Sequence, residues 1–599
     1  MAVIRAIYLF VLTQILVKGL RWNEWWKGTI VYQIYPRSFM DSDGDGVGDL
    51  AGITSRLEYF NDIGVSTIWL NPVYKSPMAD FGYDVADFKD IDPIFGTMAD
   101  FDELISKAHR LGLKLVMDFV PNHTSDQHPW FVESKKNKDS TNRYRDYYVW
   151  VDPKKNCSDP PEKCIPNNWV GLLGGTVWEW VPERQQFYLH QFLKKQPDLN
   201  HRDPAVQLQM IDALQFWLEK GIDGIRVDSI RFIYENVDLD DEPINPDYTP
   251  IPGERPQYNS LIHNKTADLP EVQELLYVWR RLSDEYSREH NYRLMVTEAY
   301  VTHKTLLSYY GTPERPEADF PFNFGFIDLN KENLSGIKIH QLVNDWMKDL
   351  SPDEWPNWVI GNHDNSRIAD RIGVKYARAL NVLNLLLPGT PTTYYGEEIA
   401  MEDIWVSYND TQDPFAINNP EHWEEYTRDP ERSPLQWDRS SHAGFSKTTG
   451  KAWLPVNQNY LLGINVADQK ADNTSALALY KKLAALRKDE PAFHTNHLKY
   501  VVVTEKIFSF LRMPDDQDTK PDSFLVIINA GTSESTHDYT AALKKLELKA
   551  EGDAGVIEVS SNMDRNGKSQ GLSKISLAAG EALIIKTSVY GFSSAVSNT

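Results

Sequence analysis

The chain has 599 residues, more than one hydrophobic core can organise, and its length predicts roughly three to five domains. A formal net charge of −23 argues against nucleic acid or an anionic membrane surface as partner. At 41% hydrophobic and 25% charged, the composition is that of a folded globular protein rather than a disordered or fibrous one.

Near the start, Arg5 precedes an apolar run that reaches Val17. One positive charge followed by a short apolar stretch has the shape of a signal peptide, here residues 1–20, although Lys18 disturbs the cleavage site near Gly19. The run is too short to span a bilayer, and no other stretch approaches ~20 apolar residues. The polar end from Ser594 to Thr599 lacks the pattern of a lipid-anchor tail. A secreted or lumenal protein without a transmembrane helix is expected.

A strand is predicted over 29–35. The loop that follows carries Asp41, Asp43, Asp45 and Asp49 at positions 1, 3, 5 and 9, with a glycine at 6 and the Val47 carbonyl at 7. A hard cation collects oxygens in this spacing. Gly52 stands where a calcium-binding hand loop has its glutamate, so a metal-ordered surface loop is expected rather than a helix–loop–helix sensor.

A repeating unit follows. Helices are predicted over 53–63, 98–111, 204–220, 269–286, 337–347 and 376–387. They alternate with apolar strands over 65–70, 114–120, 222–228, 294–297, 358–361 and 392–395, and one more strand is placed near 320–326. Alternation of this kind means parallel strands covered by helices. Eight strands suggest an α/β fold built on a (β/α)8 TIM barrel. The rival is an open doubly wound sheet, but no glycine-rich phosphate loop follows the first strand.

The barrel is interrupted. Residues 128–197, rich in Trp, Tyr, Lys and Pro, read as an inserted domain after the third strand. The barrel is therefore assigned to 21–127 and 198–493. From 494 to 599 the runs shorten to strands at 501–503, 507–511, 524–529, 555–559 and 582–586, which reads as an all-β sandwich domain. The two cysteines, Cys157 and Cys164, lie in the insertion. In an oxidising compartment they form a local disulfide; the alternative is two free thiols. Glycosylation sequons stand at Asn156, Asn264, Asn333, Asn409 and Asn473; Asn122 also matches but falls among the strand-end residues.

In such a barrel, side chains at the C-terminal strand ends converge on one mouth. The third strand ends with Asn122 and His123, the fourth with Arg226 and Asp228, the fifth with Glu298, the seventh with His363 and Asp364. Asp118 lies inside its strand and is read as structural. Six charged or titratable groups at four strand ends are hard to explain as packing, because unpaired buried charge is costly. Two carboxylates across a sugar bond support retaining glycoside hydrolysis. Arg226, two residues from Asp228 on one strand face, favours Asp228 as nucleophile, and neighbouring negative charge suits Glu298 to the acid role. Asp364 is left to hold sugar hydroxyls, and His123 and His363 to donate to them. A metal hydrolase would need histidines at ligand spacing, and no such pair is present.

The motifs DFVPNH from Asp118, QPDLN from Gln196, GIRVDS from Gly224, TEAY from Thr297, GNHD from Gly361 and GEEI from Gly396 resemble the α-amylase superfamily of glycoside hydrolases. The branch resembled is that of the α-glucosidases (maltase and sucrase), insect-type digestive maltases above all. The resemblance implies Asp228 as nucleophile, Glu298 as acid/base and Asp364 as transition-state stabiliser. It implies a pocket closed behind the terminal glucose by Asp84 and Arg428, with Tyr83 and Phe187 as stacking walls, and hence exo action on maltose, sucrose and short α-glucosides. It implies structural calcium at Asp41, Asp43, Asp45, the Val47 carbonyl and Asp49. A second calcium would sit between Asn122, Asp198 and Glu235, with the Phe232 and Ile233 carbonyls. No organic cofactor is implied. Ser229 departs from the Ala or Val usual after the nucleophile, which leaves linkage preference open. A glucosyl-transferring relative and a non-catalytic binding or receptor protein of the same fold are the alternative functions.

Overall fold

A computed structural model describes residues 24–250, 255–288, 291–514 and 522–590. The segment read as a signal peptide lies outside the described residues. Eight strands form one sheet: β1 (Val31–Ile34), β2 (Thr67–Leu70), β3 (Lys114–Phe119), β4 (Gly224–Val227), β5 (Leu294–Thr297), β6 (Phe320–Pro321), β7 (Asn357–Val359) and β8 (Thr390–Tyr394). They neighbour one another in the order β6-β5-β4-β3-β2-β1-β8-β7, the cyclic order of a (β/α)8 barrel. Helices α1 (Leu57–Ile63), α2 (Met98–Arg110), α3 (Pro204–Lys220), α4 (Val272–Tyr286), α5 (Gly336–Met347) and α6 (Val374–Leu386) alternate with the strands. The chain packs as two compact units. One comprises Leu70–Ile105 and Leu115–Pro321; the other comprises Trp25–Trp69, Ser106–Lys114 and the chain from Phe322 onward.

In the first unit, local chemistry explains where α3 and β4 begin and end. Asp203 caps α3 by accepting from the Ala205 N–H, Pro204 opens the helix where no N–H is needed, and Gly221 closes it at φ 99°. β4 is buried along its length, and Gly224 is required there: a Cβ would lie 2.5 Å from the Leu294 carbonyl of β5. β4 pairs in parallel with β3 and β5, setting Val227 beside both Phe119 and Thr297. The inserted segment carries helix Pro129–Ser134 and a three-stranded antiparallel sheet of Trp150–Val151, Gln186–Leu189 and Trp178–Val181. Cys157 and Cys164 are joined in a disulfide.

In the second unit, the helix read as continuous over 53–63 is two helices, Leu50–Ser55 and α1, broken at Arg56. The C-terminal part is a six-stranded sheet in the order Lys499–Val503, Ile507–Arg512, Ser523–Asn529, Ala582–Thr587, Ala554–Ser560, Ser569–Gly571. Helix Tyr539–Lys545 packs Tyr539 and Leu543 into the same apolar cluster as Leu511, Leu525, Ile557 and Ile585. The domain is seated on the barrel: the Gly336 N–H at the start of α5 donates to Glu505, and Arg512 donates to the Leu386 carbonyl at the end of α6. Among the described residues no helix is long and apolar enough to cross a membrane.

Candidate active site

In the first unit, the ends of β4 and β5 carry the two principal carboxylates. Val227 and Thr297 are register partners, so Asp228 and Glu298 follow directly from paired positions. Arg226 gathers the carboxylates around it. Its Nη1 lies 2.8 Å from Asp118 and 2.5 Å from Asp228, and its Nη2 lies 3.5 Å from Glu298. All four side chains are at most 9% exposed, so this electrostatic cluster is shielded from bulk solvent. Burial alone would weaken the Arg226 charge, but Asp118 and Asp228 outweigh it and hold its pKa well above the usual value. Ser229 adopts a left-handed conformation, φ 49°, and its N–H donates to Glu298 at 3.0 Å. The backbone after the nucleophile candidate is thus bent to serve the acid candidate.

Asp118 is structural, as expected. It accepts from Arg226, from Asn71 at 3.0 Å and from the Tyr83 hydroxyl at 3.0 Å, and burial pushes its carboxyl up to about 6. His123 is buried, and burial lowers its pKa, so it is a neutral imidazole near neutral pH. Its Nε2 lies 3.1 Å from both the Tyr83 carbonyl and the Gln196 amide nitrogen, and that amide also donates to Asp80 at 3.1 Å. The network Asp80, Gln196, His123, Tyr83, Asp118, Arg226 therefore leads to Asp228 and Glu298.

Two residues do not fit the roles the sequence suggested. Asp84 is 0% exposed and its oxygens are taken by the Ser76 hydroxyl and the Ala79 and Asp80 N–H groups. It fixes the Ser76–Asp84 turn rather than closing a sugar pocket; Asp80, four residues earlier, is the acid that joins the network. Phe187 is no stacking wall either: it lies in the core of the inserted domain with Val149, Trp169, Trp178 and Leu189. Strand alternation turns it inward. Phe192, half-buried, stands against His123 with ring centroids 5.0 Å apart. Asp80, Gln196 and Phe192 were not singled out in the sequence; the QPDLN motif was the available signal for Gln196.

In the second unit, Asp364 follows β7. Its Oδ1 accepts from Arg428 at 3.1 Å and from Arg432 at 3.0 Å, and His363 lies 3.5 Å from its Oδ2. Arg428 is locked by Asp413, which accepts from its Nε, its Nη2 and its backbone N–H. Burial pushes the Asp413 carboxyl up, yet Arg428 outweighs it and the net shift is downward. His363 is placed by Gln33 on Nδ1 at 2.9 Å and by stacking on Tyr35. Arg432, Asp413, Gln33 and Tyr35 were not anticipated; charge spacing alone does not single them out.

For a cation, Asp41, Asp43 and Asp49 each bring a carboxylate oxygen to within 4.8 Å of the others. Asp45 stands outside this group, its Oδ1 taken by the Val47 N–H. In the first unit, Asn122 Oδ1 is buried without a hydrogen-bond partner. Asp198 and Glu235 are buried near each other, both with raised pKa, Glu235 to about 7, burial being the main cause. An orphaned carbonyl oxygen beside two buried carboxylates fits a hard cation.

Comparison with known proteins bears on this chemistry. Maltase A1 of Drosophila melanogaster is 42% identical over 528 residues, covering 86% of this chain and 89% of its own. The rat amino acid transporter heavy chain SLC3A1 is 40% identical over 580 residues, covering 94% and 79%. The crystal structure of the α-glucosyl transfer enzyme XgtA superposes with a TM-score of 0.80 at 33% identity, covering 94% of this chain and 99% of that one. Residues 33–496 match the model of the alpha amylase catalytic domain. By that match the chain belongs to the α-amylase family, and it is a glycoside hydrolase of α-glucosidase type.

Proposed function

We propose that this protein is an exo-acting, retaining α-glucosidase that releases glucose from the non-reducing end of maltose, sucrose and short α-glucosides. The observation that carries the reading is the single guanidinium of Arg226 shared by Asp228 and Glu298. Retaining hydrolysis needs two carboxylates about 5–5.5 Å apart. Asp228 attacks the anomeric carbon while Glu298 protonates the departing glycosidic oxygen. Glu298, now ionised, takes a proton from water, which attacks the same carbon and frees Asp228. Two inversions give net retention. Asp364, oriented by Arg428 and Arg432, is assigned to the sugar hydroxyls. Exo action rests on the resemblance, with Arg428, held by Asp413, assigned to the terminal glucose.

Calcium is assigned to Asp41, Asp43 and Asp49, and a second calcium to Asn122, Asp198 and Glu235. Bound calcium would neutralise these carboxylates and hold their loops; the chemical steps belong to the carboxylates above. Export from the cell is the accompanying proposal, supported by the disulfide and by the N-terminal charge and apolar run. The likeness to SLC3A1 favours the binding-protein alternative, against which stand Asp228, Glu298 and Asp364, all present in the chain.

The test is glucose release from maltose, sucrose, isomaltose and starch, with Asp228→Asn as control. The variant is expected to lose at least ~10³-fold in kcat. No turnover by the wild-type protein supports the binding-protein reading. Internal cleavage of starch contradicts a closed pocket, and glucosyl products at high sucrose identify a transferring enzyme.

A further inference from the structure

The segment after β8 presents an unusual surface. Trp405 is 73% exposed, with Tyr408 at 40% and Ile417 at 49% nearby in the chain. Trp405 stands edge-on to Trp423 with centroids 6.5 Å apart, and Tyr408 lies 6.2 Å from the same indole. Isolated exposed apolar residues are ordinary, but two exposed aromatic rings set against one half-buried indole are not, since hiding them would stabilise the fold. Hydrogen-bonding side chains flank them in the sequence: Asp410, Glu424 and Glu425 are all exposed. Rings for the C–H face of a sugar, with carboxylates for its hydroxyl rim, are complementary to a neutral polyol. The local negative charge disfavours an acidic polymer.

The same segment runs on into the sugar-pocket candidates. Helix Pro414–Ile417 packs against helix Trp423–Tyr426, which contains Trp423 and leads to Arg428. Arg428 lies 3.8 Å over the Phe415 ring and donates to Asp364. A platform and a pocket arginine on one short, internally packed segment can hold two parts of one chain of sugars.

We propose that Trp405, Tyr408 and Trp423 form an auxiliary binding platform for glucosyl units of longer α-glucans. It rests on the α-glucosidase reading for its choice of sugar. It extends that reading by giving longer oligosaccharides an affinity that maltose lacks. Trp405 is the principal contact, being the most exposed of the three rings.

The experiment separates binding from turnover. Maltoheptaose, and cellohexaose as a β-linked control, are titrated into Asp228→Asn protein, with and without Trp405→Ala, and affinity is read by calorimetry. The parent enzyme and the Trp405→Ala and Trp405→Phe variants are assayed on maltose and maltoheptaose. The platform predicts that Trp405→Ala weakens maltoheptaose binding about 5-fold or more. KM for maltoheptaose should rise in parallel, maltose kinetics should stay within about 2-fold, and Trp405→Phe should restore much of the loss. Unchanged maltoheptaose affinity in Trp405→Ala overturns the platform. So does equal loss of cellohexaose binding, or a dimer in solution that Trp405→Ala dissociates, which would make the patch an interface between copies. Maltoheptaose binding through Trp405 without any hydrolysis by the parent protein would keep the platform and overturn the glucosidase reading.

Discussion

Arg226 donates to Asp228 at 2.5 Å from the same guanidinium whose other nitrogen faces Glu298 at 3.5 Å. The bond aims the Asp228 carboxylate, and Asp118 holds the same guanidinium at 2.8 Å. An ammonium group cannot make these contacts together, because it is a point charge without a planar fork. Arg226→Lys is therefore expected to lower kcat on maltose by about 10²-fold or more, with a smaller change in KM. A variant with unchanged kcat would show that the arginine is only a structural partner.

Asp413 acts through Arg428. It is fully buried and accepts three bonds from that one residue. Asp413→Asn removes the charge and one acceptor while conserving volume. If Arg428 binds the terminal sugar, KM for maltose should rise about 10-fold with kcat less affected, since the interaction is made in ground and transition states alike. An effect confined to thermal stability would limit Asp413 to a packing role.

The acidic loop gives a metal prediction. Asp43 is the most exposed of its three carboxylates, and its Oδ1 accepts from the Asp45 N–H at 3.1 Å. Asp43→Asn therefore alters little in the metal-free loop. Added calcium should raise the melting temperature of the wild-type protein, chelation should lower it, and the rise should shrink in Asp43→Asn. Equal calcium responses in both proteins would remove the loop from the ligand set.

A buried histidine sets an acid limit. His201 lies against Tyr234 and Trp279, its Nε2 is 2.7 Å from the Pro121 carbonyl, and burial pushes its pKa down to about 4. In the unfolded chain a histidine titrates near ~6.5. Between these values the unfolded chain takes up a proton that the folded one refuses. Stability from this group is therefore full above ~6.5 and declines as pH falls towards 4. His201→Gln should flatten the dependence of melting temperature on pH in that window. Parallel curves for the two proteins would contradict the assignment.

The barrel was legible because its elements carry their own boundaries. α3 was placed correctly at 204–220, where Asp203, Pro204 and Gly221 fix its ends, and β5 at 294–297 by its run of apolar residues. β6 was not: only Phe320–Pro321 pairs, because proline lacks the N–H that would continue the ladder, and the chain then enters a 3-10 turn at Gly325–Asp328. Asp228, Arg226 and Glu298 were readable because strand ends and two-residue spacing are sequence features. The choice between Asp80 and Asp84 was not, since it depends on which carboxylate the turn's own N–H groups saturate. Phe187 failed for a similar reason: its neighbours across the sheet, which make it core, are distant in sequence.

The most direct measurement is covalent trapping. A fluorinated glucosyl substrate whose second step is slow is incubated with the enzyme, and the digested protein is examined by mass spectrometry. The account predicts one glucosyl adduct, on the Asp228 side chain, and none in Asp228→Asn. An adduct on another carboxylate, or turnover with inverted anomeric configuration and no adduct, would contradict it.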